Sequence, residues 1–216
     1  MTDVAVVLSG CGFLDGAEIH ESVMTLLALD SHELSYQCFA PDKPQQDVVN
    51  HYTKTPADEQ RNVLTEAARI ARGAIHPLSE LDPAQFRAIV FPGGYGAAKN
   101  LCDFAVNGTG MQLDPEVERV ARAFAEAGKP AGYICIAPAM IPRIYPAGVR
   151  CTIGTDTETA AALQAMGAEH QNCPVDDIVA DERYKVVSTP AYMLARRISE
   201  AGAGIEKLVR QIRDWL

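Results

Sequence analysis

Residues 4–12 read VAVVLSGCG, a run of five apolar residues that ends in a turn of Ser, Gly, Cys and Gly. Apolar runs of this length, rich in β-branched residues and closed by turn residues, are typical of strands buried in a parallel sheet. Two more runs of this kind are AIVF at 88–91, which a PGG turn follows, and AGYIC at 131–135. Shorter runs at 34–40 and 185–187 predict two further strands.

Helical patterns separate these strands. Residues 18–30 and 61–72 carry apolar positions at helical spacing, and the second set forms one stripe. Asp114-Pro115 indicates a helix start, with Asp as N-cap and Pro at the first helical position, and Gly128 marks its end. Further helices are predicted from Asp156 to Met166 and from Met193 to about Trp215.

The alternation of strand and helix predicts an α/β sandwich built on a mostly parallel sheet. No repeat, linker or low-complexity segment divides the chain, so residues 1–216 are predicted to form a single domain. The polar, turn-rich stretch 41–60 is interpreted as a surface excursion.

Composition argues against two classes of partner. The formal net charge is −9 and the Lys and Arg residues are scattered, which argues against nucleic acid. The longest apolar stretch, 130–149, contains Pro138, Pro142, Pro146 and Arg143, so it cannot cross a bilayer as a helix. We therefore expect neither a nucleic-acid partner nor a membrane partner.

The cysteines indicate a reducing environment. The chain has six cysteines, which lie far apart and form no CxxC pair. The N-terminus MTDVAVVLSG has an acidic residue where a secretory signal carries Lys or Arg. This pattern predicts free thiols and a cytoplasmic location.

Ligands of open parallel sheets bind beyond the carboxyl ends of the strands, and three strand ends carry unusual residues here. Cys135 ends a strand where a helix should begin, and the amides of the next turn would favour its thiolate. The alternative is a buried core thiol, a common environment for free cysteine. The glycines of Pro92-Gly93-Gly94-Tyr95-Gly96 either let a ligand approach the backbone and bind an oxyanion, or only form a tight turn.

Glu21 follows the first strand, near the start of the first helix. It is either a solvated charge that complements the helix dipole, or a group whose pKa burial beside a thiol raises enough for acid–base chemistry. Three neighbours compete for such a role: Asp15, Glu18 and His20.

In these three loops the sequence resembles the ThiJ/PfpI superfamily, which has a flavodoxin-like, class I glutamine-amidotransferase-like fold. Within it, the chain is most similar to the ElbB-type glyoxalase branch. The strings that carry the resemblance run in order along the chain: GCGFLDGAEIHE, CFAPDK, RNVLTEAARIARG, PGGYGAAKNL, CIAPAM, TIGTD, CPVDDIV and TPAYML.

The resemblance implies a flavodoxin-like three-layer sandwich and a role for each loop. Cys135 falls on the superfamily's nucleophile, and Glu21 on the glutamate that hydrogen-bonds this thiol. Gly94 and Ile136 fall on the positions whose N–H groups form the oxyanion hole. Gly93 and Tyr95 are the expected substrate contacts: Tyr95 directly follows the predicted oxyanion-hole glycine.

The implied activity is a lyase of the glyoxalase type, which converts glyoxal-type dicarbonyls to hydroxy acids through a cysteine hemithioacetal. It needs no cofactor, and the five histidines show no zinc spacing. The expected partners are a small dicarbonyl or aldehyde and a second copy of the chain in a homodimer. Alternative functions are a redox-sensing or metabolite- or partner-binding module on the same fold, and a protein deglycase.

The sequence departs from the superfamily around the nucleophile. Tyr133 and Ala137 stand where small residues and glycine are common in such turns, which implies a differently shaped turn. The stretch 186–193 (VVSTPAYM) lacks the histidine that the superfamily's glutamine hydrolases use, and His170 is the only late histidine. Glutamine hydrolysis is therefore disfavoured. Cys11 is expected to line the same crevice as Cys135.

Overall fold

The apolar runs identified in the sequence form the centre of a seven-stranded sheet in the computed structural model, which describes residues 2–216. Met1 lies outside the described residues, and the single-domain assignment of 1–216 stays a prediction. The strands are β1 (Thr2–Val7), β2 (Tyr36–Ala40), β3 (Val49–Asn50), β4 (Thr55–Pro56), β5 (Ile75–Pro77), β6 (Phe86–Phe91), β7 (Ala131–Ile134), β8 (Arg150–Cys151), β9 (Glu169–His170), β10 (Val179–Asp181) and β11 (Val186–Thr189).

The strand order in the main sheet is β10-β11-β7-β6-β1-β2-β5. Neighbouring strands pair in parallel except β10 and β11, which pair antiparallel at the edge. Because β1, β6 and β7 are parallel and adjacent, their carboxyl ends meet at one edge of the sheet. This edge is where the three unusual loops come together.

Helices cover both faces of the sheet. They are α1 (Ile19–Ser31), α2 (Val63–Ile70), α3 (Tyr95–Lys99), α4 (Phe104–Asn107), α5 (Pro115–Glu126), α6 (Ile141–Ile144), α7 (Thr157–Ala165) and α8 (Ile198–Trp215). Side chains from α1, α2 and α8 pack into one hydrophobic core, and side chains from α5, α6 and α7 pack into another on the opposite face. The predicted flavodoxin-like three-layer α/β sandwich is confirmed.

Local chemistry explains where the long helices begin. The Asp114 carboxylate accepts from the N–H groups of Glu116 and Val117 at 3.0 and 3.4 Å, and Asp156 caps α7 through the Thr159 N–H at 2.8 Å. Each cap satisfies helix N–H groups that have no intrahelical partner.

The structure corrects several predicted boundaries. The last helix begins at Ile198 rather than Met193, because the chain first forms a short 3-10 helix at Ala191–Met193. Cys135 lies after β7 rather than in it, and the 41–60 excursion contains the β3–β4 hairpin. The short strands β5 and β10 were missed because three residues are too few to show a period. Within residues 2–216, the helices are too short or too polar to cross a membrane.

Candidate active site

Cys135 occupies the tight turn between β7 and the 3-10 helix Ala137–Met140. Its φ of +63° lies in the left-handed region, which is uncommon for any residue but glycine and is found at strained functional turns. The Cys135 N–H donates to the Thr189 carbonyl at 3.0 Å, which ties the turn to the end of β11. The residue is only 7% exposed, yet it reaches the wall of a surface cavity.

Glu21 lies in the first turn of α1 but points inward and is fully buried. Its two carboxyl oxygens accept from the Gly93 N–H and the Tyr192 N–H, each at 3.1 Å. Burial, with a contribution from the nearby Glu18, raises the pKa of Glu21 to about 8. The solvated-charge alternative is therefore wrong, and Glu21 holds a proton near neutral pH.

The Glu21 carboxyl and the Cys135 side chain lie beside each other at Gly93, close enough for each to affect the pKa of the other. Burial and the adjacent Glu21 carboxyl raise the pKa of the Cys135 thiol well above its ordinary value. The expectation of a thiolate in the resting protein is thus wrong. Nearby amides do favour the anion, but in this closed turn the loss of hydration outweighs them, so the resting pair is a thiol beside a carboxyl group.

The backbone N–H groups of Gly94 and Ile136 lie near the Cys135 sulfur and favour its anion. They are the two groups predicted to form the oxyanion hole, and the structure brings them to the nucleophile position from different loops. Their role in binding an oxyanion stays a prediction. Gly94 has a φ of +93°, a conformation that favours glycine.

Gly93 separates the two reactive groups. A methyl group on its Cα would lie 2.3 Å from Cys135 Cβ and 2.6 Å from Glu21 Oε2. Only glycine therefore lets the carboxyl and the thiol approach each other. Gly93 lies behind the cavity wall, whereas Tyr95 lines the cavity, and their predicted contacts with substrate stay predictions.

A cavity of about 380 Å³ has Cys135 in its wall. This volume falls within the usual range for small-molecule sites. It is lined by Phe13, Glu18, Gly94, Tyr95, Ala98, Phe104, Ala105, Cys135, Ile136, Thr159, Tyr192 and Met193. Among these described lining residues there is no lysine, arginine or histidine, and most of the wall is apolar.

Tyr192 belongs to the site, although no role was predicted for it from the sequence. Its backbone N–H holds Glu21, its ring lines the cavity, and its hydroxyl lies 2.8 Å from Nδ1 of His20. Ala191, with a φ of +43°, turns the chain sharply after β11 and directs the Tyr192 N–H at the carboxyl. Tyr192 follows β11, which pairs with β7, so it lies at the sheet edge where the other site residues are found. This position after a strand was the signal in the sequence that could have identified it.

Other candidate residues lie elsewhere. Cys11 lines a separate polar cavity with Arg61, Glu66 and Arg69, so the expectation that it shares the Cys135 crevice is wrong. The His170 ring accepts from the Ile153 N–H at 3.3 Å, a structural contact. Within residues 2–216, no group of three His, Cys, Asp or Glu side chains is arranged to hold a metal ion.

The chain was compared with known proteins. No family model matches it. It is 45% identical to glutamine amidotransferase-like class 1 domain-containing protein 3, mitochondrial, of Homo sapiens, over 98% of this chain and 82% of that protein. It is 43% identical to the ES1 protein homolog, mitochondrial, of Rattus norvegicus, over 98% of this chain and 83% of that protein.

Solved structures show the same architecture. An isoprenoid biosynthesis protein with an amidotransferase-like domain from Ehrlichia chaffeensis superposes with a TM-score of 0.93 at 36% identity, over 100% of this chain and 99% of that one. A ThiJ/PfpI domain protein from Brachyspira murdochii gives a TM-score of 0.57 at 14% identity, covering 100% and 97% of the two chains, which shows the fold alone.

These relatives contradict the predicted cytoplasmic location. The human, rat and Danio rerio relatives are all named as mitochondrial proteins. The prediction failed because scattered free cysteines indicate a reducing compartment but do not distinguish one such compartment from another.

Proposed function

Because this chain belongs to the glutamine amidotransferase-like class 1 domain (ES1) family, we propose that it is a cofactor-independent enzyme of the ElbB glyoxalase type. It converts small, uncharged dicarbonyls of the glyoxal kind to hydroxy acids. The observation that carries this proposal is the buried carboxyl of Glu21, which two backbone N–H groups hold against the Cys135 thiol in the wall of a cavity.

The first step is addition of the thiol to an aldehyde carbon of the substrate. The carboxylate form of Glu21 takes the thiol proton as the carbon–sulfur bond forms, and then gives this proton to the former aldehyde oxygen. The product is a neutral hemithioacetal, and Glu21 is again a carboxylate. In this proposal the N–H groups of Gly94 and Ile136, which lie near the sulfur, bind the oxygen that gains negative charge.

The second step moves hydrogen between the two substrate carbons. Glu21 removes the proton from the carbon bonded to sulfur, which leaves an enediolate, and then returns this proton to the neighbouring carbon. The hydroxyl on the first carbon gives its proton to the oxygen on the neighbouring carbon as the thioester carbonyl forms. Water then hydrolyses the thioester, which regenerates the thiol and releases glycolate when the substrate is glyoxal.

The pKa of Glu21 suits this double role. A group with a pKa of about 8 exists in both protonation states near neutral pH, so it can accept a proton in one step and donate it in the next. An unperturbed carboxyl is almost wholly ionised there and would be a poor acid.

Two other functions are less well supported. Glutamine hydrolysis through a Cys-His pair requires a histidine beside the thiol, and no histidine lines the described cavity. Redox sensing favours an accessible thiolate, whereas Cys135 is nearly buried and its pKa is raised. The deglycase alternative requires a larger, protein-bound substrate, and no feature of the cavity favours it.

The test is turnover of glyoxal and methylglyoxal by the wild-type chain, Cys135→Ala and Glu21→Gln. We expect hydroxy acid to form in the wild type at about 1 per second or more, the lower end of usual enzyme rates. Wild-type turnover should rise as the pH approaches about 8, because Glu21 ionises. Cys135→Ala should lose essentially all activity, and Glu21→Gln at least about 100-fold.

A Cys173→Ala variant serves as the matched control, since this buried thiol lies outside the cavity. Cys173→Ala should keep wild-type turnover. If Cys135→Ala consumes dicarbonyl as fast as Cys173→Ala does, the proposed mechanism is wrong.

A further inference from the structure

The cavity lined by Cys135 is larger and more apolar than glyoxal requires. Glyoxal has four non-hydrogen atoms, all carbonyl carbon or oxygen, whereas the cavity measures about 380 Å³ and is walled by Phe13, Tyr95, Phe104 and Met193. We propose that the preferred substrate is an uncharged 2-oxoaldehyde that carries an apolar substituent about the size of a phenyl ring. This inference rests on the proposed function.

The first support is the exposure of aromatic side chains at the cavity mouth. Phe13 is 41% exposed and Tyr95 is 51% exposed, although both are large and apolar. The Tyr95 N–H donates to the Phe13 carbonyl at 2.8 Å, so the two loops are held together as one rim. Exposed apolar surface that rims a concave site is typical of ligand binding, because a bound apolar group removes it from water.

The second support is a further set of apolar side chains in the cavity lining. Phe104 of α4 packs partly into the core and presents its remaining surface to the cavity, and Ile136 and Met193 do the same from their own loops. An apolar substituent in the cavity can therefore contact several apolar side chains. Burial of such a group stabilises the bound state roughly in proportion to the apolar area covered.

The third support is charge. The lining residues include one carboxylate, Glu18, and no lysine or arginine. The Lys99 Nζ lies 5.8 Å from the centre of the Tyr95 ring, but it donates to the Leu14 carbonyl at 3.0 Å and pairs with Asp47 at 2.7 Å. An anionic substituent would thus lose hydration without gaining a partner, which disfavours carboxylated or phosphorylated dicarbonyls.

The test compares kcat/KM for glyoxal, methylglyoxal and phenylglyoxal in the wild-type chain. We expect phenylglyoxal to exceed glyoxal by at least about 10-fold, which is the discrimination that a modest apolar contact supplies. Phe104→Ala should lower the phenylglyoxal-to-glyoxal ratio at least about 5-fold. Because a ratio within one variant is measured, a general loss of active protein cancels.

Val106→Ala is the matched control, since Val106 belongs to the same short helix as Phe104 but is 69% exposed and does not line the cavity. It should leave the ratio unchanged. Phe13→Ala, at an exposed position, repeats the test if Phe104→Ala does not fold.

The outcomes separate the two proposals. If Cys135-dependent turnover is present but glyoxal equals or exceeds phenylglyoxal, or if Phe104→Ala and Phe13→Ala keep the wild-type ratio, the apolar-substituent inference is wrong and the proposed function stands. If none of the three dicarbonyls shows Cys135-dependent turnover, both proposals are wrong.

Discussion

Glu21 concentrates the chemistry of this protein in one buried side chain. It accepts hydrogen bonds on both carboxyl oxygens, contacts the reactive thiol, and has a pKa of about 8. The two N–H donors favour the ionised form, but burial of the whole side chain outweighs them. The result is a residue whose protonation state differs between the folded and unfolded chain over most of the physiological pH range.

This difference predicts a pH dependence of stability. The folded pKa is raised above the ordinary value of 4.5, so between about 4.5 and 8 the folded state binds a proton that the unfolded state has lost. Stability therefore falls as pH rises through this window, by at most about 1.4 kcal/mol per pH unit from this group. Urea unfolding of wild type and Glu21→Gln from acid to alkaline pH measures it.

Glu21→Gln removes the titrating group, so the free energy of unfolding of this variant should fall less with rising pH. Glu118→Gln, an exposed change on α5, is the control and should follow the wild type. Identical pH profiles for wild type and Glu21→Gln would contradict a raised pKa at this position.

At the scale of elements, the site is an assembly of four chain segments at one edge of the sheet. The thiol follows β7, Gly93 and Gly94 follow β6, Glu21 is on α1, and the Tyr192 N–H follows β11. The turns after β7 and β11 both contain a non-glycine residue at positive φ, Cys135 and Ala191. Such strained conformations persist only where the surrounding packing holds the turn in place.

The spacing between β6 and β7 predicts a strong effect of Gly93→Ala. The added methyl group would meet Cys135 Cβ, Glu21 Oε2 and the Ile134 carbonyl at 2.3, 2.6 and 2.7 Å. The Cys135 and Ile134 atoms belong to the tight turn at the end of β7. We expect a loss of about 1–3 kcal/mol in stability from overpacking. Turnover should fall at least about 10-fold, because the thiol and carboxyl are pushed apart.

Gly110→Ala is the matched control, since an added methyl there meets no atom within 4 Å. It should leave both the melting temperature and turnover unchanged. Wild-type activity in Gly93→Ala would show that close approach of the thiol and carboxyl is not required.

At the scale of the whole molecule, the outer face of α1 is unusually apolar. Ile19, Val23 and Leu27 lie on successive turns and are 44%, 48% and 61% exposed. The groove beside them also contains Asp30 and the arginines Arg69 and Arg72. Arg69 pairs with Glu66 of its own chain at 2.9 Å, which leaves Arg72 as the arginine for a contact with Asp30 of a second copy. A two-fold contact between identical chains needs such matching of one patch with itself.

We propose that the expected homodimer forms through this face, with Asp30 of one copy near Arg72 of the other. Sedimentation of the wild type at micromolar concentration should show a dimer, and Leu27→Asp should give a folded monomer, because a charge is placed in the apolar stripe. Val106→Asp, at an equally exposed apolar position away from α1, should remain dimeric. A monomeric wild type, or a dimeric Leu27→Asp, would contradict the proposal.

Much of this molecule follows from sequence alone because the responsible interactions are local. Valine-rich runs at 4–8 and 88–91 become central strands, and Asp114 and Asp156 begin helices through bonds within one turn. Cys135 was identifiable as a candidate because its strand end is visible in the sequence, and so were the glycines of the PGG turn.

Only the tertiary structure decided the state of the site. Glu21 is fully buried because residues 93, 135 and 192, far apart in the chain, enclose it, and this enclosure reverses the expected ionisation of Cys135. It also brings in Tyr192, whose backbone N–H holds the Glu21 carboxyl. Capping and strand formation depend on neighbours within a turn, whereas desolvation depends on every segment packed around a group, so a pKa cannot be derived from spacing.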